Sequence, residues 1–181
     1  MIKIDQEFQN EIKNIIRDIP DFPKEGILFR DITTLLQKGR MFNQVIDVFE
    51  EFCRYCNAEA IVAIESRGFI FGGALSDRLQ IPFIPVRKEG KLPYTKETVS
   101  YSLEYGEESV EMHKDALSPG QKTVIIDDLL ATGGTAEASA SLVEKCGGEV
   151  AGIAMLLELS FLEGKKKLKE YEVLTMVRYD E

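Results

Sequence analysis

The chain has few of the residues on which common active sites are built. Its single histidine, His113, has no sequence-local partner, and no role is assigned to it. Only three cysteines occur. Cys53 and Cys56 have the spacing of a zinc or redox site, but no second pair completes a four-ligand set. Both fall in an expected helix over 41–57, where residues three apart share a face, so core packing is the better reading. No apolar run approaches a membrane span, and the opening residues, Met1 to Glu7, are not those of a signal peptide. With so few cysteines and no targeting segment, a reducing cytoplasm is the expected compartment. Basic residues are in deficit, 22 against 31 acidic ones, for a formal charge of −9. That balance disfavours nucleic acid as a partner, because such binding runs on excess lysine and arginine. A G-x-G-x-x-G fingerprint is missing, and no lysine follows the glycines where a nucleotide-triphosphate P-loop requires one. What remains, at 181 residues, is one expected domain large enough to bury a core without disulfide or metal staples.

Against these absences, residues 124–135 carry most of the information. The apolar run Val124 to Ile126 reads as a buried parallel strand, since its residues do not alternate with polar ones. It ends in two carboxylates, Asp127 and Asp128, which are hard to bury unless they bind something. Ala131, Thr132, Gly133, Gly134 and Thr135 follow, with so little bulk that several backbone amides can converge on one anion where a helix begins near Thr135. Acids for hydroxyls or a metal, beside amides for a phosphate, describe a ribose-phosphate site. A plain strand-to-helix turn would use the glycines for their backbone angles, but needs neither paired acids nor flanking threonines. The stretch resembles the phosphoribosyl-diphosphate motif of the type I phosphoribosyltransferases.

Apolar periodicity places an amphipathic helix through Ile4, Phe8, Ile12, Ile15 and Ile16, ending before Pro20. A loop punctuated by proline and glycine follows over 21–31. Short buried strands are expected at 60–64 and 83–86, with a helix at 68–79 between them. Residues 88–98 have the composition of a mobile loop, and 100–105 with 109–113 read as a hairpin. A helix from about Thr135 to Cys146 and strands at 151–157 and 171–177 complete the chain. Alternating strands and helices imply an α/β fold, a mostly parallel twisted sheet flanked by helices. Ligands of such sheets bind beyond the carboxyl ends of the strands, which puts 65–67, 87–88 and 127–135 along one rim.

A ribose with a 5′-phosphate and a 1-pyrophosphate makes definite demands. The 5′-phosphate suits the nest at 131–135, and the ring hydroxyls suit Asp127 and Asp128, directly or through Mg²⁺. On an acidic protein the pyrophosphate needs local cations, for which Arg67, Arg87, Lys88 and Lys91 are the candidates. Arg67 could alternatively serve a surface ion pair. The run Lys165, Lys166 and Lys167, with Lys169, reads as the decoration of a solvated helix face. Displacement at the anomeric carbon builds charge on the departing pyrophosphate, so electrostatic stabilisation there should be the largest catalytic contribution. Water would destroy the activated ribose, and the 88–98 loop with Lys91 suits a lid.

Six separated segments, 20–32, 65–72, 87–93, 100–106, 127–135 and 157–159, are similar in order to the adenine phosphoribosyltransferase family. That resemblance implies transfer of a phosphoribosyl group from phosphoribosyl diphosphate to N9 of adenine, giving AMP and pyrophosphate with Mg²⁺. It implies a core from about residue 36 to 181 and a hood over about 1–35, in which Phe29 stacks on adenine and main-chain groups of Leu28 and Arg30 read its edge. Leu159 would pack on the other face of the ring. Phe29 could instead simply anchor its loop. Glu104 matches the acid proposed to handle the purine proton, with Tyr105 beside it on the lid; strand alternation would point the two in opposite directions. The Glu65–Ser66 bond matches a cis position, and a homodimer with the Arg87 region near the partner is implied. Three other functions are weighed on the residues alone. One is transfer to an oxopurine, another a regulator that binds the same diphosphate, for which the chain has neither spare length nor basic charge, and the third a structural interaction domain, which leaves the paired acids without purpose.

Overall fold

The structure is a computed structural model, and it describes residues 2–102 and 106–181. Leu103, Glu104 and Tyr105 lie outside the described residues, and so do the roles expected of the last two. By contact density the chain divides into a unit over Met1–Val48 and a larger one over Phe49–Glu181.

In the first unit, α1 (Gln6–Ile15) starts where Asp5 accepts a hydrogen bond from the Phe8 amide, and it buries Ile12. The segment expected to be loop ends in structure. Strand β1 (Arg17–Ile19) pairs antiparallel with β2 (Phe29–Asp31), ahead of the short helix α2 (Thr33–Leu36). Asp31, 6% exposed, is the reason the pair holds. Its Oδ2 accepts from Arg17 Nε at 3.1 Å and from the Thr33 hydroxyl at 2.8 Å, and its Oδ1 from the Thr33 amide at 2.9 Å. These donors, Arg17 first, hold its carboxyl down at about 2 despite burial. No hydrophobic periodicity announces a three-residue strand fixed by one carboxylate.

Helix α3 (Gly39–Tyr55) begins in the first unit and ends in the second. Its last turn and the residue just after it bury Phe52, Cys53 and Cys56. Both cysteines are free, and burial pushes their thiols up to about 12 and about 11, as core packing requires.

The second unit is built on a seven-stranded sheet of order β5-β6-β4-β3-β7-β8-β9. Strands β3 (Ala60–Ile64), β4 (Phe83–Lys88), β7 (Lys122–Leu130), β8 (Glu149–Leu159) and β9 (Val173–Tyr179) are parallel. Strands β5 (Lys96–Ser102) and β6 (Glu107–His113) add an antiparallel edge. Helix α4 (Gly68–Leu79) crosses from β3 to β4, and α5 (Gly134–Lys145) from β7 to β8. Right-handed crossovers in opposite directions put the two helices on opposite faces. Strand β3, buried throughout, shows why an unbroken apolar run was needed. A Cβ on Gly72 of α4 would approach Ala63 and Ile61, while Ala60, Val62 and Ile64 join Ala136, Ala140 and Leu142 of α5 in one core cluster. Chain direction across the sheet reverses between β3 and β7, and the crevice beyond their carboxyl ends is where such sheets hold ligands.

Candidate active site

Strand β7 continues through both acids to Leu130, so Asp127 and Asp128 sit inside the ladder rather than past its end; Asp127 is level with Met155 and Leu130 with Glu158. Asp127 keeps partial exposure, yet its Oδ1 accepts the Asp128 amide at 2.8 Å and lies under Gly68 at the start of α4. Asp128 is 4% exposed, and its Oδ2 stands 2.9 Å from Arg67 Nε while retaining accepting capacity as a buried oxygen. Burial raises Asp127 well above the ordinary carboxylate range, reinforced by the neighbouring charge of Asp128. Burial raises Asp128 as well, with Arg67 opposing it. Burial pushes both carboxyls toward the neutral form, and hydroxyl donors or a cation beside them would offset that cost.

Ala131 to Gly133 then turn the chain into α5. Gly133 has φ +79°, a left-handed conformation that side chains rarely adopt, and it caps the helix with no side-chain hydrogen bond. A Cβ there would also stand 2.5 Å from the Gly164 carbonyl oxygen. The amides at the start of α5 therefore belong to a helix N-terminus with no side-chain cap, a geometry suited to an anion. Thr135 donates its hydroxyl to Tyr101 Oη at 3.0 Å, and Tyr101 donates in turn to Glu108 at 2.9 Å. Tyr101, on β5, was not recognised from sequence; its ring lies against Gly134. Only the pairing of β5 with β6 brings it there.

The neighbouring strands carry the cations. Arg67 ends the turn after β3, across the Glu65–Ser66 bond, which is cis. Arg87, at the end of β4, is turned back within its own chain: Nε and Nη2 donate to Glu65 at 3.2 and 3.3 Å, and Nη1 donates to the Lys91 carbonyl at 3.2 Å. Arg87 accordingly holds the Glu65 carboxyl below its ordinary range. Lys88 reaches Glu108 at 3.4 Å. The turn that follows is tied down. Glu111, 1% exposed on β6, accepts the Gly90 amide at 3.1 Å and pairs with Lys96 at 2.8 Å. Residues 96–98, expected in a mobile loop, are already β5. A loop's composition could not reveal a buried carboxylate on a later strand, 21 residues on from Gly90.

In the first unit, Phe29 meets Phe22 edge-on at 5.2 Å between ring centres, beside the cis Phe22–Pro23 bond. Leu28 is exposed, and Arg30 pairs with Asp18. Leu159, in the second unit, ends β8 opposite Tyr179 of β9. Among the described residues no cluster of three or more histidine, cysteine or acidic side chains could enclose a metal ion. No helix in them is long and apolar enough to cross a membrane.

A doubly wound parallel sheet with paired acids and an open anion nest at its switch point defines a phosphoribosyltransferase, and the phosphoribosyl transferase domain family matches residues 31–180. A relative from Acidobacterium capsulatum, called adenine phosphoribosyltransferase, is 49% identical over 94% of this chain and 94% of its own. The crystal structure of the adenine phosphoribosyltransferase of Thermoanaerobacter pseudethanolicus matches with a TM-score of 0.91 at 50% identity, over 94% of this chain and 99% of that one. The Saccharomyces cerevisiae enzyme, solved with an imino-altritol bisphosphate and adenine, matches with a TM-score of 0.89 at 37% identity, covering 94% and 98%. The chain belongs to the adenine phosphoribosyltransferase family.

Proposed function

We propose that the protein salvages adenine, joining it to phosphoribosyl diphosphate to give AMP and pyrophosphate. The observation that carries this reading is the uncapped helix start at 131–135 directly after the paired acids Asp127 and Asp128, the second of them buried against Arg67. The nest takes the 5′-phosphate, and Asp127 and Asp128 take the ribose diol. Arg67, Lys88 and Lys91 neutralise the pyrophosphate, and Arg87 joins them if it exchanges Glu65 for the leaving group. The bond from the anomeric carbon to pyrophosphate oxygen breaks with its electron pair as the adenine N9 lone pair closes on that carbon. The N9 proton leaves to a base, for which Glu104 is the candidate by family resemblance. Positive charge spreads over the ribose at that moment, and the cations favour the departing oxygens.

Mg²⁺ fits this donor set. The ion commonly uses one or two carboxylates together with substrate phosphates, and Asp128 Oδ2 retains accepting capacity. Asp127 and Asp128 would hold it with substrate oxygens, and it would supply further positive charge to the pyrophosphate.

Leu28, Phe29 and Arg30 form the hood over adenine, with Leu159 on the other face, within an organisation of hood over about 1–35 and core over about 36–181. An aromatic plane against a flat base, with main-chain groups at its edge, separates an amino purine from an oxopurine through donor and acceptor polarity. A homodimer in the cytoplasm completes the proposal. Steady-state assays with adenine, hypoxanthine, guanine and xanthine test it. AMP and pyrophosphate released in equal amounts, with adenine preferred at least a hundredfold, is the expected result. Preference for an oxopurine, or no pyrophosphate release, would overturn it.

A further inference from the structure

The three consecutive lysines after the nest, expected to decorate one solvated face, point three ways. They lie on the 3-10 helix Gly164–Leu168, which packs on the site rather than standing in solvent. A Cβ on Gly164 would collide with the Ala131 carbonyl oxygen and come within 2.9 Å of the Gly133 amide nitrogen, so the two backbones are in direct contact. Leu168 is buried at 1% exposure. Lys165 reaches the end of the sheet, with Nζ 2.6 Å from the buried Glu158 and 2.8 Å from the Thr175 hydroxyl. Lys166 pairs with Glu163 at the exposed surface. Lys167 turns to the nest: its Nζ stands 3.8 Å from the position a Cβ would take on Gly134, the first residue of α5.

That placement is electrostatically odd without a ligand. A helix N-terminus carries a partial positive charge, and cations favour the opposite end. Among the described residues, the acid that pairs with Lys167, Glu137 in the first turn of α5, is 3.9 Å away, and both side chains are about half exposed. An anion in the nest would satisfy the amides and the ammonium together. It would also give a chain of charge −9 a local cation for the 5′-phosphate beside residues 131–135, none of which carries a charged side chain. We infer that Lys167 is a binding residue for the 5′-phosphate of the ribose, held in place by the Gly164 backbone contact and by the Lys165–Glu158 pair. The inference rests on the nest being the 5′-phosphate site, and it assigns Lys167 no part in the chemistry at the anomeric carbon.

The test compares Lys167→Gln, Lys167→Arg and Glu137→Gln with the parent protein, all with adenine as acceptor. Lys167→Gln is expected to raise KM for phosphoribosyl diphosphate about tenfold, with kcat within about twofold and adenine KM unchanged. Affinity for ribose 5-phosphate, measured by calorimetry, should fall by a similar factor, while affinity for pyrophosphate stays the same. Lys167→Arg should restore most of the loss. Glu137→Gln separates a phosphate ligand from a structural ion pair. Removing a competing carboxylate should leave ribose 5-phosphate affinity equal or higher, whereas a structural pair would make it fall as it does in Lys167→Gln. Unchanged ribose 5-phosphate affinity in Lys167→Gln, or equal losses in the two glutamine variants, would overturn the inference while adenine turnover by the parent leaves the proposed function standing. Failure of the parent to bind ribose 5-phosphate would overturn both.

Discussion

The proposed function divides the work of single residues between charge and shape. Asp128 is buried, raised by its burial and only partly relieved by Arg67, so its charge does not stabilise the fold, and the proposed function gives it the ribose hydroxyls instead. Asp128→Asn should therefore lower kcat/KM for phosphoribosyl diphosphate by at least a hundredfold, with a melting temperature no lower than the parent's. Calorimetric melting beside initial-rate assays checks both halves, and a large fall in stability would return Asp128 to a purely structural role. Phe29 is the shape counterpart, an aromatic ring braced edge-on by Phe22. Phe29→Ala should raise adenine KM by about tenfold or more and leave KM for the diphosphate within about twofold; the loss of one stacking partner is on the order of 1 kcal/mol. An unchanged adenine KM with lost stability would make Phe29 an anchor of its loop. At this scale the sequence was readable where a family motif stands in adjacent letters, as from Asp127 to Thr135, where the strand-to-helix turn it implies is present. It was silent where a role depends on distant partners. Tyr101 reaches Thr135 across 34 positions, and nothing in its local pattern marks it.

Among the elements, those with strong periodicity were legible. The strand at Ala60–Ile64 and the helix at Gly68–Leu79 fall at their expected positions because an unbroken apolar run and a glycine-opened helix each leave one solution. The misread elements are those fixed by a polar contact. Strand β2 exists because Asp31 gathers Arg17 and Thr33, and the 88–96 turn is ordered because Glu111 holds Gly90 and Lys96. The support beneath the nest is of the same kind. Gly164 touches Ala131 and Gly133 backbone to backbone, so Gly164→Ala must displace one of the two segments. We expect a stability loss of about 1–3 kcal/mol, the usual cost of overpacking, and a rise of about tenfold in KM for phosphoribosyl diphosphate with adenine KM little changed. Denaturant melts and substrate titrations check this; wild-type KM for the diphosphate would show that the contact does not shape the nest.

For the whole molecule, titration sets limits on both sides of neutrality. Asp31, held down to about 2 by Arg17 and Thr33, and Glu65, lowered first by Arg87, stabilise the fold above their unfolded values. Glu111 has the same sign: burial raises it, but Lys96 and the Gly90 amide outweigh burial and leave it lowered. Those contributions vanish as pH falls from about 4 toward about 2. Cys53 and Cys56 act in the other direction. Burial lifts them from 9.0 to about 12 and about 11, so their contribution is complete below 9.0 and disappears as pH rises through the folded values. Melting temperature against pH should thus show a plateau that falls below about 4 and above about 9, with the alkaline fall reduced in Cys53→Ala relative to that variant's own plateau. A flat alkaline limb in the parent would contradict the burial of these thiols. Net charge belongs to this scale too: on a chain of charge −9 the proposed site would have to draw its anionic substrate with local cations, for which Arg67, Lys88, Lys91 and Lys167 are the proposed residues.

The central claim is that the amides from Ala131 to Thr135 hold a sugar's terminal phosphate while Asp127 and Asp128 hold its diol. The most direct measurement is a crystal structure of the protein with AMP. The account predicts the 5′-phosphate within hydrogen-bonding distance of the amides at the start of α5, and the two ribose hydroxyls on the paired acids. AMP bound with its phosphate elsewhere, and the nest left to solvent, would contradict it.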